Sequence, residues 1–575
     1  MNKASEADFD DQEGHFTSLE GGPGDNGAGL GSHETKGDKE NSFKSEEFQL
    51  DDADSLEKSG ASDQNGKNPF IDPTVANYYR DLYESTKYEC RGRFDPEFHW
   101  DPKEEKKLTR KLDVKVTLLA CVLFVALQMD RGALGQAVSD NLLTDLNIST
   151  NVLNSSWSLF YCCFLAAELP SQLISKKLGC DIWIPTQITL WSIVSICQSR
   201  VRGKAGFLAT RALLGLLEGG FIPDLVLWLS YFYTSSELSI RLSFFWFTLS
   251  LTQIISSLLA YGIFHIKGTS LHGWAWLFLI EGIFTLLIGI SAFFLMPASI
   301  VQTKSPWNKK GWFTERQEKI LVNKVLRDDP SKGSMHNRQG LTPKMLWQAM
   351  CDYHLWPIYI IGLVAYIPID TLDTYMSLLL RSMGYSTLNV TLLLIPYYFT
   401  QGSSLVITTW LSERLHSIFN VCLLQPLWGI PLIAVLRWWN GALIEKWPTY
   451  AVLVLILCEP YIHAIMVSTC SRNSQSVKTR TVSASLYNMF VQAGSIVGSN
   501  IYRANDAPYY KRGNEVLFVL AVLMVPLLLG TKLWYVHINR KRSRIWDAMS
   551  KEEQEEYILT TKDTGSSKLN FRFAH

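Results

Sequence analysis

The 575-residue chain has no formal net charge, 54 Lys and Arg against 54 Asp and Glu, yet only 19% of its residues are charged while 47% are hydrophobic and 19 are Trp. That balance excludes a basic nucleic-acid-binding surface. The mean hydropathy of +0.05 averages a polar first hundred residues with an apolar stretch from Val114 to Ile538, so the class that fits is a membrane protein with a polar tail.

Residues 1–68 are Gly, Ser, Asp and Glu with few large apolar side chains, a composition that cannot bury enough surface to offset ordering entropy. This acidic cytosolic tail is expected to be disordered. It holds no apolar run of the kind a cleaved signal peptide needs, so the first membrane helix is expected to do the targeting. Over 69–112 aromatics return (Tyr78, Tyr79, Tyr83, Tyr88, Phe94, Phe98, Trp100), which predicts a cytosolic amphipathic segment packed on something larger. Asp101-Pro102-Lys103-Glu104 then starts a helix, with Asp as N-cap, Pro in the first turn and Glu three residues after the cap.

A helix needs about 20 apolar residues to cross ~30 Å of hydrocarbon. Twelve such runs occur, over approximately 114–137, 156–175, 183–199, 206–231, 243–265, 275–296, 355–378, 388–411, 418–437, 448–468, 481–501 and 515–537. We number them spans 1 to 12. The long polar stretch between spans 6 and 7 divides the chain into an N-terminal half (113–300), a cytosolic central loop (301–350), a C-terminal half (351–540) and a cytosolic tail (541–575). The fold class is therefore an all-α membrane protein of two six-helix halves.

Lys and Arg near span ends mark the cytosolic side. The flank before span 1 (Lys106, Lys107, Arg110, Lys111), the 2/3 connection (Lys176, Lys177), the central loop and Arg540-Lys541-Arg542 fall on one side, with both termini. The 1/2 connection lacks Lys and Arg and carries two N-x-S sequons, at Asn147 and Asn154, expected to be glycosylation sites outside. The 3/4 connection, with Arg200, Arg202 and Lys204, runs against this pattern and is outvoted.

Ten cysteines are scattered through apolar runs without ligand spacing, so they read as packing residues; no metal site is expected. No GxxxxGK[ST], HExxH or GxSxG occurs, which disfavours nucleotide-driven pumping and hydrolysis and leaves an ion gradient, with no cofactor, as the energy source.

A charge at bilayer depth costs about 2.5–3.5 kcal/mol on insertion scales, so each one is a functional candidate. Span 1 holds Asp130 and Arg131; span 2, Glu168 before Pro170; span 4, Arg211, Glu218 and Asp224; span 7, Asp370 and Asp373; span 10, Glu459 and His463; span 11 adds Asn488 and Gln492. Arg211 and Glu218 are two turns apart on one face with Gly215 between, compatible with an arginine presented to a cavity above its carboxylate; the alternative is that Arg211 snorkels. Glu459 and His463 are one turn apart, a spacing suited either to proton handling or to a packing hydrogen bond. Asp370 and Asp373 share a face and are expected in an exposed outer vestibule.

Twelve spans in two sixes with internal termini resemble a major facilitator transporter. RALLGLLEGGFIPDLVLWLSYFYTSSELSIRLSFFW from Arg211 is similar to the fungal allantoate permease family of anion:cation symporters. So are Lys111-Leu112-Asp113, Met129-Asp130-Arg131, Glu168-Leu169-Pro170, Ile501-Tyr502-Arg503 and Asp506-Ala507-Pro508-Tyr509-Tyr510. RDDPSKG from Arg327 and the final TTKDTGSSKLNFRFAH look similar to yeast permeases for alternative sulfur compounds such as sulfonates. The resemblance implies a monomeric plasma-membrane (or endoplasmic reticulum) importer, not an enzyme, that couples protons to uptake of a small organic anion: a sulfonate or other sulfur compound, or an allantoate- or vitamin-like carboxylate. On this reading Arg131, Arg211, Asn488 and Gln492 bind substrate, and Glu218, Glu459 and His463 couple protons. Asp130, Glu168, Gly215, Pro223, Asp506 and Pro508 are structural motif positions. A non-transporting nutrient receptor and a proton-driven exporter are the rivals; span 5, with one Gly and no Pro from Ser250 to Phe264, lacks the Gly-Pro-Gly pattern of exchangers.

The charge bias predicts that a tag inserted at Ser334 is protected from protease in intact cells. Cleavage there without permeabilisation would reverse the orientation.

Overall fold

A computed structural model describes residues 68–575 apart from 267–270, 305–308, 334–346, 348–349, 416, 475–476 and 562–564. The acidic tail through residue 67 and Ser334 thus lie outside the described residues. All regular structure among the described residues is helical, and ten helices are long and apolar enough to cross a membrane. The remaining two crossings are span 10, broken into Lys446–Leu457 and His463–Asn473, and span 11, Val477–Gly498. Twelve transmembrane helices in two groups of six result.

Most spans are longer than their apolar cores because the chain caps them with its own polar groups. The segment before span 1 is helical over Pro102–Leu112, and the Asp101 side chain accepts from the Lys103 N–H. It continues through a wide turn, Asp113–Thr117, into Leu118–Ser139. Span 2 runs Thr150–Leu178 with Pro170 inside it, and only Gly179, at φ 100°, separates it from span 3, Cys180–Gln198. Span 5, Ser235–Ile263, opens on a capping box between Thr234 and Glu237. Span 6 is Gly273–Leu295, span 8 Thr387–Leu415, span 9 Leu424–Trp438 and span 12 Lys511–Trp546. At the start of span 12 the Asp506 carboxylate accepts from the Gly513 N–H, which satisfies a donor the helix leaves open.

Spans 4 and 7 are each divided: span 4 into Gly203–Glu218 and Phe221–Ser230, span 7 into Trp356–Ala365 and Ile367–Ser382. Gly220 supplies the left-handed residue at the first break, φ 83°, and Pro223 falls in the first turn of the second piece, where its missing N–H costs nothing. The carbonyls freed there are not orphaned. Gln187 of span 3 donates to Leu217 O and Gly219 O, both at 3.0 Å.

Residues 68–112 and 541–575 lie on one face, called here the terminal face. On it the central loop forms a helix, Glu315–Asp328, that clasps the segment before span 1. Arg93 pairs with Glu315 (2.7 Å) and Glu318 (3.0 Å), Arg316 with Glu104 (3.0 Å), and Asn323 accepts from Asp95 N and donates to Arg93 O. The Arg316 guanidinium holds the Glu104 carboxyl below its usual range. Lys324, almost fully buried, joins Glu105, Thr109 and Glu237, tying this layer to span 5.

Residues 571–575 fold back onto the terminal-face ends of the C-terminal half. Phe573 is buried, stacked on His354 and Tyr535 at 5.0 Å each. Asn539 bonds both backbone groups of Phe573, and Asn473, at the end of span 10, bonds both of Ala574. Truncating a buried Phe costs about 3–5 kcal/mol, so Phe573→Ala should lower the melting temperature of the detergent-solubilised protein by several degrees; an unchanged melt would leave this strap without a stabilising role.

Candidate functional site

The site is set by where spans 2 and 4 touch. Gly215 and Gly219 let them meet, since a Cβ at Gly215 would stand 2.3 Å from the Phe160 carbonyl oxygen and one at Gly219 2.8 Å from that of Phe164. Small residues at such a contact let helix backbones approach in a bilayer. The approach lays Trp157, Phe160 and Phe164 of span 2 against two guanidinium groups. Arg211 stacks over Trp157 at 4.8 Å and Phe160 at 4.7 Å; Arg131 lies over Phe160 at 5.7 Å and Phe164 at 5.1 Å. Phe160 therefore separates two cations and offers each a ring face.

Only one of the two has a carboxylate partner. Glu218, 1% exposed, accepts from Arg131 Nε at 2.7 Å. The expected Arg211–Glu218 arrangement is thus corrected: shared helix face placed them in line, but Arg131 of span 1 reaches the carboxylate first. Arg211, also 1% exposed, keeps Nε and Nη2 without a hydrogen-bond partner, and Arg131 keeps Nη2 free as well. Snorkelling does not describe a guanidinium so enclosed.

Depth brings further residues into the same layer. Arg131, Tyr161, Arg211, Asp370, Asp373, Tyr397 and Asn488 each lie eight to twelve residues from their helix ends on the face opposite the terminal face. At 1.5 Å per residue that is ~12–18 Å, about half of a bilayer's hydrocarbon. Asp370 and Asp373 are therefore mid-membrane rather than in an outer vestibule. Ser495 donates to Asp370 and Tyr397 to Asp373, each at 2.6 Å. Asp373 is nevertheless exposed, and Tyr161 lies within electrostatic reach of Asp370, Asp373, Arg131 and Arg211 together. An accessible carboxylate at this depth is suited to lining a cavity. Asn488 leaves Oδ1 buried and unpartnered in the same layer, and Gln492, half-buried, follows one turn later.

The Glu459–His463 pair is not brought together as one helical turn. The helix ends at Leu457 and restarts at His463, because Pro460 cannot donate into the ladder. Glu459 accepts instead from Gln425 at 2.7 Å. His463 sits among the rings of Trp246, Tyr366, Tyr461 and Tyr487, with Nδ1 unpartnered. Glu168 is buried beside the Gly220 break. Asp130 accepts from Ser195 at 2.7 Å.

One buried carboxylate was missed. Glu281 of span 6 is fully buried, accepts from Ser256 at 2.8 Å, and lies within electrostatic reach of Asp130. The signal was present, a lone Glu in LFLIEGIFTLL, and the rule applied to the other spans selects it.

Asn154 must be withdrawn as a glycosylation site. Span 2 starts at Thr150, six residues earlier than the apolar run, so Asn154 is inside the helix and 2% exposed. Its amide donates to Tyr502 O at 2.6 Å and its carbonyl accepts from Tyr375. Asn147 stays exposed in the connection. Around Asn154 runs a polar seam between the halves: Ser158 with Ser499 and Asn500, Asn151 with Ala504 N, Ser139 O with Thr387, Asn141 with Arg381. These hydrogen bonds between the halves all lie toward the face opposite the terminal face.

The family profile of the Major Facilitator Superfamily matches residues 120–499. The chain belongs to this superfamily. It is 43% identical over 514 residues to an uncharacterized transporter of Saccharomyces cerevisiae, YIL166C, covering 88% of this chain and 94% of the relative. An MFS-type transporter of Hormonema carpetanum, efuF, is 26% identical, covering 77% and 88%. Among solved structures, a bacterial homolog of the human lysosomal transporter Spinster, inward-facing and unoccupied, superposes with TM-score 0.53 at 13% identity, covering 76% of this chain and 98% of that one. The protein is an integral multi-pass membrane transporter of small molecules, and not an enzyme.

Gly215→Val in this transporter should abolish uptake or prevent accumulation of folded protein, because nothing can yield beside a backbone carbonyl 2.3 Å away. Gly530→Val, where a Cβ meets nothing within 4 Å, is the control expected to behave as wild type.

Proposed function

We propose that this transporter is a proton-coupled importer of a small organic anion, of the allantoate permease type, acting as a monomer in the plasma membrane with both termini cytosolic. The observation that carries the reading is Arg211: a guanidinium in the middle of the membrane, enclosed by aromatic rings, with two nitrogens unpaired. A buried cation with open donors is unfavourable until an anion arrives, and a guanidinium suits the flat, bidentate oxygens of a carboxylate or sulfonate. Alternating access follows by rocking of the halves about this layer. The seam opposite the terminal face holds that side shut and supports a state open toward the termini.

Coupling follows from charge. Glu218 neutralises Arg131 while ionised. A proton on Glu218 frees that guanidinium, so proton and anion enter the same cluster in each other's favour. Glu459 and His463 are the second candidates, held apart from this cluster on the other half. Sulfonates and related sulfur compounds are the first substrates to assay, vitamin- and allantoate-like carboxylates the next.

In cells lacking the endogenous transporter, Arg211→Ala should abolish uptake at normal protein level, and Arg211→Lys should raise KM about tenfold through loss of bidentate geometry. Uptake should increase as external pH falls, and a protonophore should collapse accumulation but spare counterflow exchange. Glu218→Gln should exchange substrate without concentrating it. Wild-type uptake by the alanine variant would remove Arg211 from the site.

A further inference from the structure

The cavity layer is charged on both walls, with opposite sign. On the N-terminal half stand Arg131 and Arg211, the second without a carboxylate partner in hydrogen-bond contact. On the C-terminal half stand Asp370 and Asp373, whose contacts are hydroxyl donors, Ser495 and Tyr397, and among the described residues no Lys, Arg or His forms an ion pair with either. Tyr161 of span 2 lies within electrostatic reach of both arginines and both aspartates.

The lack of a cation is not what sets these two apart, since Asp130, Glu281 and Glu459 are likewise held by hydroxyl or amide donors. What argues that the acidic wall faces a ligand rather than packing is accessibility: those three are buried, whereas Asp373 remains exposed at a depth where outward exposure would mean hydrocarbon. The opposite unmet need, on Arg211, sits in the same layer. A plain anion would satisfy the arginine and bring further negative charge toward two carboxylates.

We propose that the transported molecule is a zwitterion, its acidic group seated on Arg211 and an ammonium group of the same molecule held by Asp370 and Asp373. This rests on the anion-importer reading above and narrows it: one molecule meets the charge of both walls, and so joins the two halves that must move against each other. A site built to bind a charged donor rejects an analogue lacking it much more strongly than an apolar pocket rejects a missing methylene.

The test is uptake, in a strain lacking competing permeases, of paired compounds differing only in ammonium against hydroxyl: 2-aminoethanesulfonate with 2-hydroxyethanesulfonate, β-alanine with 3-hydroxypropionate, and 4-aminobutyrate with 4-hydroxybutyrate. The ammonium member of at least one pair should be favoured about tenfold or more in kcat/KM. Asp373→Asn and Asp370→Asn should erase that preference, while Asp373→Glu, which keeps the charge, should retain it. A hydroxyl member taken up as well as its partner would overturn the zwitterion and leave anion import standing. Asparagine variants at normal protein level that lose both members equally would assign the aspartates to energy coupling instead, which also overturns it. Uptake of no compound from any pair would overturn this inference, and the anion-importer reading would fall with it if vitamin- and allantoate-like carboxylates were refused as well.

Discussion

The structure turns on one imbalance: two guanidinium groups share the middle of the N-terminal half with one carboxylate close enough to bond. In water the excess would be trivial. At bilayer depth an ion without a counter-charge costs several kcal/mol, and the protein tolerates Arg211 only by wrapping it in ring faces that attract a cation without neutralising it. Other features of the half follow. Phe160 can serve both arginines because spans 2 and 4 are drawn together along Gly215 and Gly219. Span 4 can bring Glu218 to Arg131 and then redirect because Gly220 turns the chain and Gln187 takes up the freed carbonyls. A more comfortable arginine would need another carboxylate, and it would have nothing left for a ligand.

The contacts between the halves are of a different kind. Within each half the glycine-mediated approaches are tight and non-negotiable; between halves, on the side away from the termini, the seam is made of Ser, Asn, Thr and Tyr hydrogen bonds. Such bonds are worth about 0.5–1.5 kcal/mol each net, because water replaces the partner when they open. A packed apolar interface would resist opening in proportion to its area, whereas a seam of hydroxyls and amides trades protein for water at small cost. The terminal face is built otherwise. There, charged clasps bind residues 68–112 and the central helix to the N-terminal half, and the 571–575 strap binds to the C-terminal half, so each half carries its own cover.

Most of the fold was legible because crossing a bilayer forces a simple signature: twenty apolar residues, polar ends, basic flanks. The residues of the candidate site were legible by the same economics, since charges in apolar runs stand out, and Glu281 of span 6 stands out by the same rule. Pairing was not legible. Arg211 and Glu218 share a helix face, but which cation meets Glu218 depends on where span 1 passes, and nothing in either segment encodes that distance. Glu459 and His463 show a similar limit: periodicity treats the chain as helical through Pro460, while the structure interrupts it there and sends the two side chains to Gln425 and to a ring cluster. Asn154 matched a surface motif because span 2 was started at its first apolar residue; the helix begins earlier and uses a polar turn to build the seam.

The two energy scales bear on how such a carrier can work. A substrate shifts a conformational equilibrium only by the difference in its affinity for the two states. Opening the seam requires offsetting several hydrogen bonds of about 1 kcal/mol each, which is within reach of one ion pair formed or lost in a water-poor cavity. Charges that sit on opposite halves are well placed to supply it. Arg211 moves with one half and Asp370 with the other, so a ligand touching both gains or loses attraction as they rotate, whereas a ligand held by one half alone would ride along and bias nothing. On the proposed reading the layer that binds is thereby the layer that couples, and the division of sign between its walls would make a ligand sensitive to the motion.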